Sequence, residues 1–182
     1  KKHDHIDILF TNNSLLRFTD PRRFGSFLWS KDPESHPLLK GLGPEPLGNS
    51  FSGEYLFQLS RKRKVPAKNF IMNTKVLAGV GNIYASEALF LSKIRPQKRA
   101  GNVSRKQYDL LAFSIKELLQ NSIEKGGTTL RDFVGSDNKP GYFKNELMVY
   151  GRAGKACKKC SSLLKEIRLS QRSSVYCPKC QA

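Results

Sequence analysis

Only four cysteines occur in 182 residues, and none lies before Cys157. A disulfide network running through the chain is therefore excluded. Histidine is almost as scarce, at three residues, which argues against a histidine-built metal centre. No apolar run is long enough to span a membrane. No Walker or dinucleotide-binding glycine pattern appears. No Ser/His/Asp or Cys/His nucleophilic set can be assembled either, because the spacing of the four cysteines assigns them all to one metal site. Acidic residues are few: 15 Asp plus Glu face 32 Lys plus Arg, for a net charge of +17 and a pI near 10.0. The basic excess is spread along the chain, which favours a folded nucleic-acid-binding surface over a charged tail. An anionic membrane surface fits less well, since no long helix reads as basic on one face and apolar on the other.

The four cysteines stand as Cys157-x-x-Cys160 and Cys177-x-x-Cys180, with sixteen residues between the pairs. Each pair makes a knuckle that brings two sulfurs to one ion, so the spacing predicts a tetrahedral Cys₄ site for one Zn²⁺ per chain. The intervening stretch is long enough for two strands and a turn, and Lys165, Arg168 and Arg172 make it basic. Two disulfides are the alternative. The chain shows no signal-peptide pattern, and reduced cytosolic thiols favour zinc. The opening Lys1-Lys2-His3-Asp4-His5 runs straight into a strand pattern, so Lys1 is expected to lie in the middle of a longer protein.

Residues 5–18 read as a hairpin turning at Asn12-Asn13-Ser14, with a further strand expected from Phe24 to Trp29. Residues 30–50 carry Pro33, Pro37, Pro44 and Pro46 and read as a linker. Short helices are expected from Ser52 and over Lys68–Met72, and another after Gly79-Val80-Gly81-Asn82. Ser104 caps a strongly amphipathic helix through Ile123, and Gly126-Gly127 stops it. Residues 128–150 look irregular.

Several of these runs permit phosphate or base contacts, and each has a plainer reading. Glycines in Gly79-Val80-Gly81-Asn82 would let backbone approach a phosphate at a helix start, with the Asn82 amide adding a donor. The alternative is an ordinary interhelix turn capped by Asn82. Asp20-Pro21-Arg22-Arg23-Phe24-Gly25 offers two cations and an aromatic that could wedge between base steps. The alternative makes Phe24 a core residue opening the next strand. Arg61-Lys62-Arg63-Lys64, followed by Lys68, is either a solvated face or a phosphate-contacting run. His3 and His5 flanking Asp4 carry no evident chemistry.

Taken in order, these runs resemble one family. They are Thr19-Asp20-Pro21-Arg22-Arg23-Phe24-Gly25, Leu42-Gly43-Pro44-Glu45-Pro46-Leu47, Gly79-Val80-Gly81-Asn82-Ile83-Tyr84-Ala85-Ser86-Glu87, Gly126-Gly127-Thr128-Thr129-Leu130, Lys139-Pro140-Gly141-Tyr142-Phe143, and the four cysteines followed by Gln181. The chain is similar over essentially its whole length to the bacterial formamidopyrimidine-DNA glycosylases, which excise 8-oxoguanine and ring-opened purines. The resemblance implies an α+β fold: the end of a β-sandwich domain (residues 1–46), a helix–two-turn–helix DNA-binding domain (47–148), and a Cys₄ β-ribbon zinc finger (149–182). It implies double-stranded DNA containing oxidised purines as partner, a monomer, and a cytoplasmic, nucleoid-associated setting in bacteria.

By the same resemblance, His3, Arg22 and Arg63 match DNA-contacting positions, and Arg63 stands where a lysine is common. Phe24 matches the aromatic inserted beside the lesion and Arg22 the residue facing the widowed cytosine. Lys68 and Asn82 match phosphate-gripping positions. Arg172 matches the arginine assigned to the last elimination step. An arginine is a poor proton donor at neutral pH, so it is expected to clamp the phosphate beside the flipped nucleotide. The segment Val134–Tyr142 matches the loop that closes over the flipped base. The family's N-terminal proline nucleophile, its following glutamate and a sandwich lysine have no match among these 182 residues. This chain is therefore expected to bind DNA without catalysing base excision or strand cleavage alone. The alternatives are a glycosylase of the sister branch that excises oxidised pyrimidines, and a non-catalytic zinc-ribbon DNA-binding module. The Asp-Pro-Arg-Arg-Phe-Gly run favours the purine branch over the first.

Overall fold

The computed structural model describes residues 2–126 and 146–181, and these divide by their contacts at Lys40/Gly41 into two units. The first unit, residues up to 40, holds the expected hairpin. Strand β1 (Asp4–Leu9) pairs antiparallel with β2 (Leu15–Thr19), with Asp7 opposite Arg17. Asn13 takes a positive φ of 62° in the turn, and the Asn12 side chain accepts the Ser14 N–H. Arg17 grips Asp7 through two bonds of 2.7 and 2.8 Å, although exposed pairs of this kind add little stability. The strand expected from Phe24 to Trp29 is not formed. A strand needs a neighbour's ladder, and among the described residues β1 and β2 pair only with each other. The stretch expected to be a linker contains one helical turn, α1 (Pro37–Lys40), with proline at its first position, where no N–H is missed.

The second unit is built on helices. Ser52 Oγ accepts the Tyr55 N–H at 3.1 Å and starts α2 (Gly53–Ser60). A side chain at Gly53 would collide with the backbone of Asp109, so α2 and α5 meet at backbone distance there. After α3 (Ala67–Ile71), Gly79 turns the chain at φ 75° into α4 (Asn82–Leu91). A capping box between Ser104 and Gln107 opens α5 (Arg105–Glu124). Gly126, at φ 71°, closes it in the left-handed region that glycine tolerates best. Leu111, Ile115 and Leu118 of α5 face Leu56, Ile71 and Leu89 in one buried cluster.

The ribbon is the hairpin of β3 (Lys165–Leu169) and β4 (Arg172–Tyr176). Its two-residue turn, Ser170-Gln171, has positive φ at both positions, 43° and 64°. That geometry matches the right-handed twist of the strands and joins them without splaying. Phe90 of α4 packs with Val149, Leu164, Val175 and two of the cysteines, tying the ribbon to the helices. The expected base-closing loop Val134–Tyr142 lies outside the described residues, as do most of the 126–130 and all of the 139–143 runs.

Candidate metal centre and nucleic-acid interface

The four cysteine sulfurs all lie within 4.8 Å of one another. Cys157 and Cys180 approach to 4.0 Å, and Cys160 and Cys177 to 3.5 Å. Tetrahedral Zn–S bonds of roughly 2.3 Å require S–S separations of about 3.8 Å. The donor set therefore fits zinc in number, chemistry and spacing. Backbone N–H groups of Lys159 and Cys180 point at the Cys157 and Cys177 sulfurs at 3.4 Å, as in metal-binding knuckles. Sulfurs this close cannot all be anionic unaided. Ser162 hydrogen bonds draw the Cys160 thiol down to about 6, while burial, then neighbouring thiols, push Cys180 up to about 12. A divalent cation lets all four carry charge.

Several polar tethers fix the ribbon to the helices. Glu87, buried in α4, accepts the N–H groups of Met148, Val149 and Tyr150 at 2.8, 2.9 and 2.8 Å. Lys68 of α3 donates to the Ser173 carbonyl and the Ser174 hydroxyl of β4 at 2.9 and 2.8 Å. Gln181 and Arg95 join the second knuckle to the turn after α4. No local motif assigns Glu87 a role. The signal available was a lone carboxylate in the otherwise uncharged run Asn82–Leu91, a residue type seldom fully buried unless paired.

Lys68 is only 1% exposed, and two of its three protons are spoken for within the fold. Burial, and secondarily the Arg172 charge, lower its pKa to about 8. It lines a cleft of about 200 Å³ with Asn69, Ser170 and Arg172, and Asn69 also bonds the Ser170 hydroxyl. Lys68 is thus brought together with Arg172, which is exposed at the start of β4, but as a buried strand anchor. A free phosphate-gripping ammonium would need a surface position.

Asn82 does not cap its helix. Gly81 holds that place, and the first N–H taken up by α4 is Ala85, bonded to Gly81 O at 3.0 Å. The N–H groups of Asn82 and Ile83 precede it, pointing out of the helix start. Asn82 Oδ1 is buried without a hydrogen-bond partner among the described residues. The Arg61–Lys64 run splits in two. Arg61 stacks on Phe57 at 3.9 Å and bonds the Phe57 and Val103 carbonyls, so it is structural. Arg63 is exposed, and its side chain makes no bond to the described residues.

In the first unit, the Asp20 carboxylate collects the N–H groups of Arg22, Arg23 and Gly25 at 3.1, 2.9 and 2.6 Å. These bonds, Gly25 first, hold its pKa below the usual carboxylate range. The turn they make presents Phe24 80% exposed, with the Arg22 guanidinium 5.1 Å from its ring centre. Among the described residues Phe24 is thus left uncovered rather than packed. His3 is exposed, and its carbonyl accepts the Asp20 N–H.

Comparison with known proteins bears on every part of this arrangement. Residues 42–134 match the formamidopyrimidine-DNA glycosylase H2TH domain, and residues 154–182 a zinc finger found in FPG and IleRS. The formamidopyrimidine-DNA glycosylase of Ectopseudomonas mendocina is 58% identical over 180 residues, covering 99% of this chain and 67% of that protein. The crystal structure of MutM (Fpg) from Thermus thermophilus superposes with a TM-score of 0.89 at 34% identity, over 100% of this chain and 69% of that one. A Lactococcus lactis Fpg variant in complex with a Fapy-dG-containing DNA gives 0.88 at 35% identity, over 100% and 67%.

Proposed function

This chain belongs to the formamidopyrimidine-DNA glycosylase family, and from that premise we propose that it is the damaged-DNA recognition part of a bifunctional glycosylase/AP lyase acting on oxidised purines. The observation carrying this most directly is the match of the entire chain, at a TM-score of 0.88, to a relative bound to Fapy-dG-containing DNA. We place the domain borders at residues 46 and 148, and the protein as a monomer acting on the bacterial nucleoid in the cytoplasm. No helix among the described residues is long and apolar enough to cross a membrane.

In this reading the zinc ion, held by Cys157, Cys160, Cys177 and Cys180, supplies structural charge compensation. The rest belongs to the chain's own residues. Arg172 clamps the phosphate beside the flipped nucleotide and opposes charge developing there. Asn82 and the first N–H groups of α4 take a neighbouring phosphate. Arg63 and His3 add backbone contacts that position the duplex. Phe24 fills the stack vacated by the flipped base and Arg22 bonds the orphaned partner. Lys68 serves the interface from behind, through β4.

The test pairs binding with trapping. Residues 1–182 should retain duplex DNA in a gel-shift assay and favour an 8-oxoguanine duplex over an undamaged one. With borohydride present, no covalent adduct should form, because attack at C1′ needs an amine nucleophile and a nearby acid, and the chain offers none in matching positions. Phe24→Ala should erase the preference for damage while leaving binding to undamaged duplex within about twofold. A robust adduct from these residues alone would show another amine at work. Equal affinity for damaged and intact duplex would remove the recognition role.

A further inference from the structure

Zinc joins the two cysteine knuckles to each other, but nothing in that bonding joins them to the helices. Gln181 does so for the second knuckle. It is 0% exposed, and every polar atom it owns is committed. Its Oε1 accepts the Cys177 N–H at 2.8 Å, at the end of β4. Its Nε2 donates to the Ile94 carbonyl at 2.7 Å, just past the end of α4. Its backbone carbonyl accepts Arg95 Nε at 2.9 Å, and a second Arg95 nitrogen reaches the Pro178 carbonyl at 3.2 Å. Lys68 meanwhile holds the other end of β4 at Ser173 and Ser174. The strand is thus pinned to the helical layer at both ends, and Arg172 stands one residue outside the first pin.

We infer that Gln181, with Arg95, is a positioning residue for DNA binding: it locks the second knuckle to the turn after α4 and so fixes where Arg172 meets the phosphate. This rests on the phosphate-clamp reading of Arg172. A glutamine is suited to the task because one planar amide offers an acceptor toward the strand and a donor toward the helix turn. A side chain serving only the knuckle would need the acceptor alone.

That difference supplies the experiment. Gln181→Glu keeps an acceptor for Cys177 but removes the donor to Ile94, and Arg95→Met removes the separate bonds from the helix turn to the Gln181 and Pro178 carbonyls. Each variant is titrated against an abasic-site duplex at fixed salt, alone and combined with Arg172→Ala or Asn82→Ala, with zinc content measured throughout. Each should keep about one zinc and weaken binding, Gln181→Glu by about tenfold, the scale of one lost buried hydrogen bond, and Arg95→Met, whose bonds are less buried, by about threefold or more. On the Arg172→Ala background the further loss should fall below about twofold, whereas on Asn82→Ala it should persist in full. If Gln181→Glu loses zinc, Arg95→Met decides. Native affinity in both variants, or an equal loss with and without Arg172, overturns the inference while leaving the clamp reading intact. If Arg172→Ala itself binds like the native chain, the clamp reading fails and this inference fails with it.

Discussion

Twenty buried hydrophobic side chains, from Phe51 to Leu147, form one cluster in the helical layer, whereas the ribbon's cluster has six members among the described residues, and two of those are cysteines. The first region folds by removing apolar surface from water. The second has too little surface to remove, and depends on a metal and on buried polar tethers with good geometry. The two regions should therefore fail differently. Damage to the helical core should spread through that core and leave the metal site chemically competent. Damage to the ribbon should be local and all-or-none. The residues proposed to grip phosphates divide between them, Asn82 on a helix and Arg172 on the ribbon.

The strongest way to break that contrast is Cys160→Ser. Structural zinc in small modules supplies on the order of 10–16 kcal/mol of apparent binding energy, far more than the ribbon's own core can replace. The variant should lose its zinc by elemental analysis and lose near-ultraviolet signal from Tyr176. The far-ultraviolet helix signal of residues 105–124 should stay largely intact. Collapse of that helix signal would mean that the two regions are one cooperative unit.

The converse substitution is Leu111→Ala, at a fully buried position of α5. Emptying such a site costs about 2–5 kcal/mol. Urea unfolding of the helices should shift by that much, with zinc content unchanged.

A third test uses the tether at Lys68, whose folded pKa is lowered to about 8 from 10.5. Below pH 8 both folded and unfolded chains bind the proton, and the folded state bears the full burial penalty. Between pH 8 and 10.5 only the unfolded chain keeps it, so stability contributed by this group rises with pH, by about 3 kcal/mol across the window. Unfolding measured at pH 7.5, 9 and 10.5 should show that rise relative to Lys68→Met, in which it is absent. Parallel pH profiles for the two proteins would place Lys68 in a more solvated site than its two β4 bonds indicate.

The legible parts of this molecule were the ones written in local spacing. The cysteine pairs announce the metal site, and Ser104 and Gly126 bracket α5 as capping chemistry requires. The ordered runs around Arg22, Asn82 and Gln181 carry the family. What stayed hidden depends on partners far along the chain. Lys68 meets Ser174 across 106 positions, and Gln181 meets Ile94 across 87, so no window of sequence contains both ends. Arg61 and Arg63 look alike in a basic run, yet only the Phe57 ring and the Val103 carbonyl distinguish a structural cation from one that makes no bond to the described residues. The strand expected at Phe24–Trp29 failed for a related reason. Its residues suit a strand, but pairing is a property of two segments, and the Asp20 carboxylate has gathered the preceding turn into another geometry.

A phosphate-led interface shared by helix and ribbon is tested most sharply by the salt dependence of duplex binding. Each phosphate neutralised by a cationic side chain contributes about −0.9 to the slope of log affinity against log salt. Residues 1–182 should give a slope of roughly −3 or steeper, made shallower by about one in Arg172→Ala. Asn82→Ala should weaken binding without a comparable change of slope, because its side chain is neutral. An affinity unchanged between low and physiological salt would contradict such an interface.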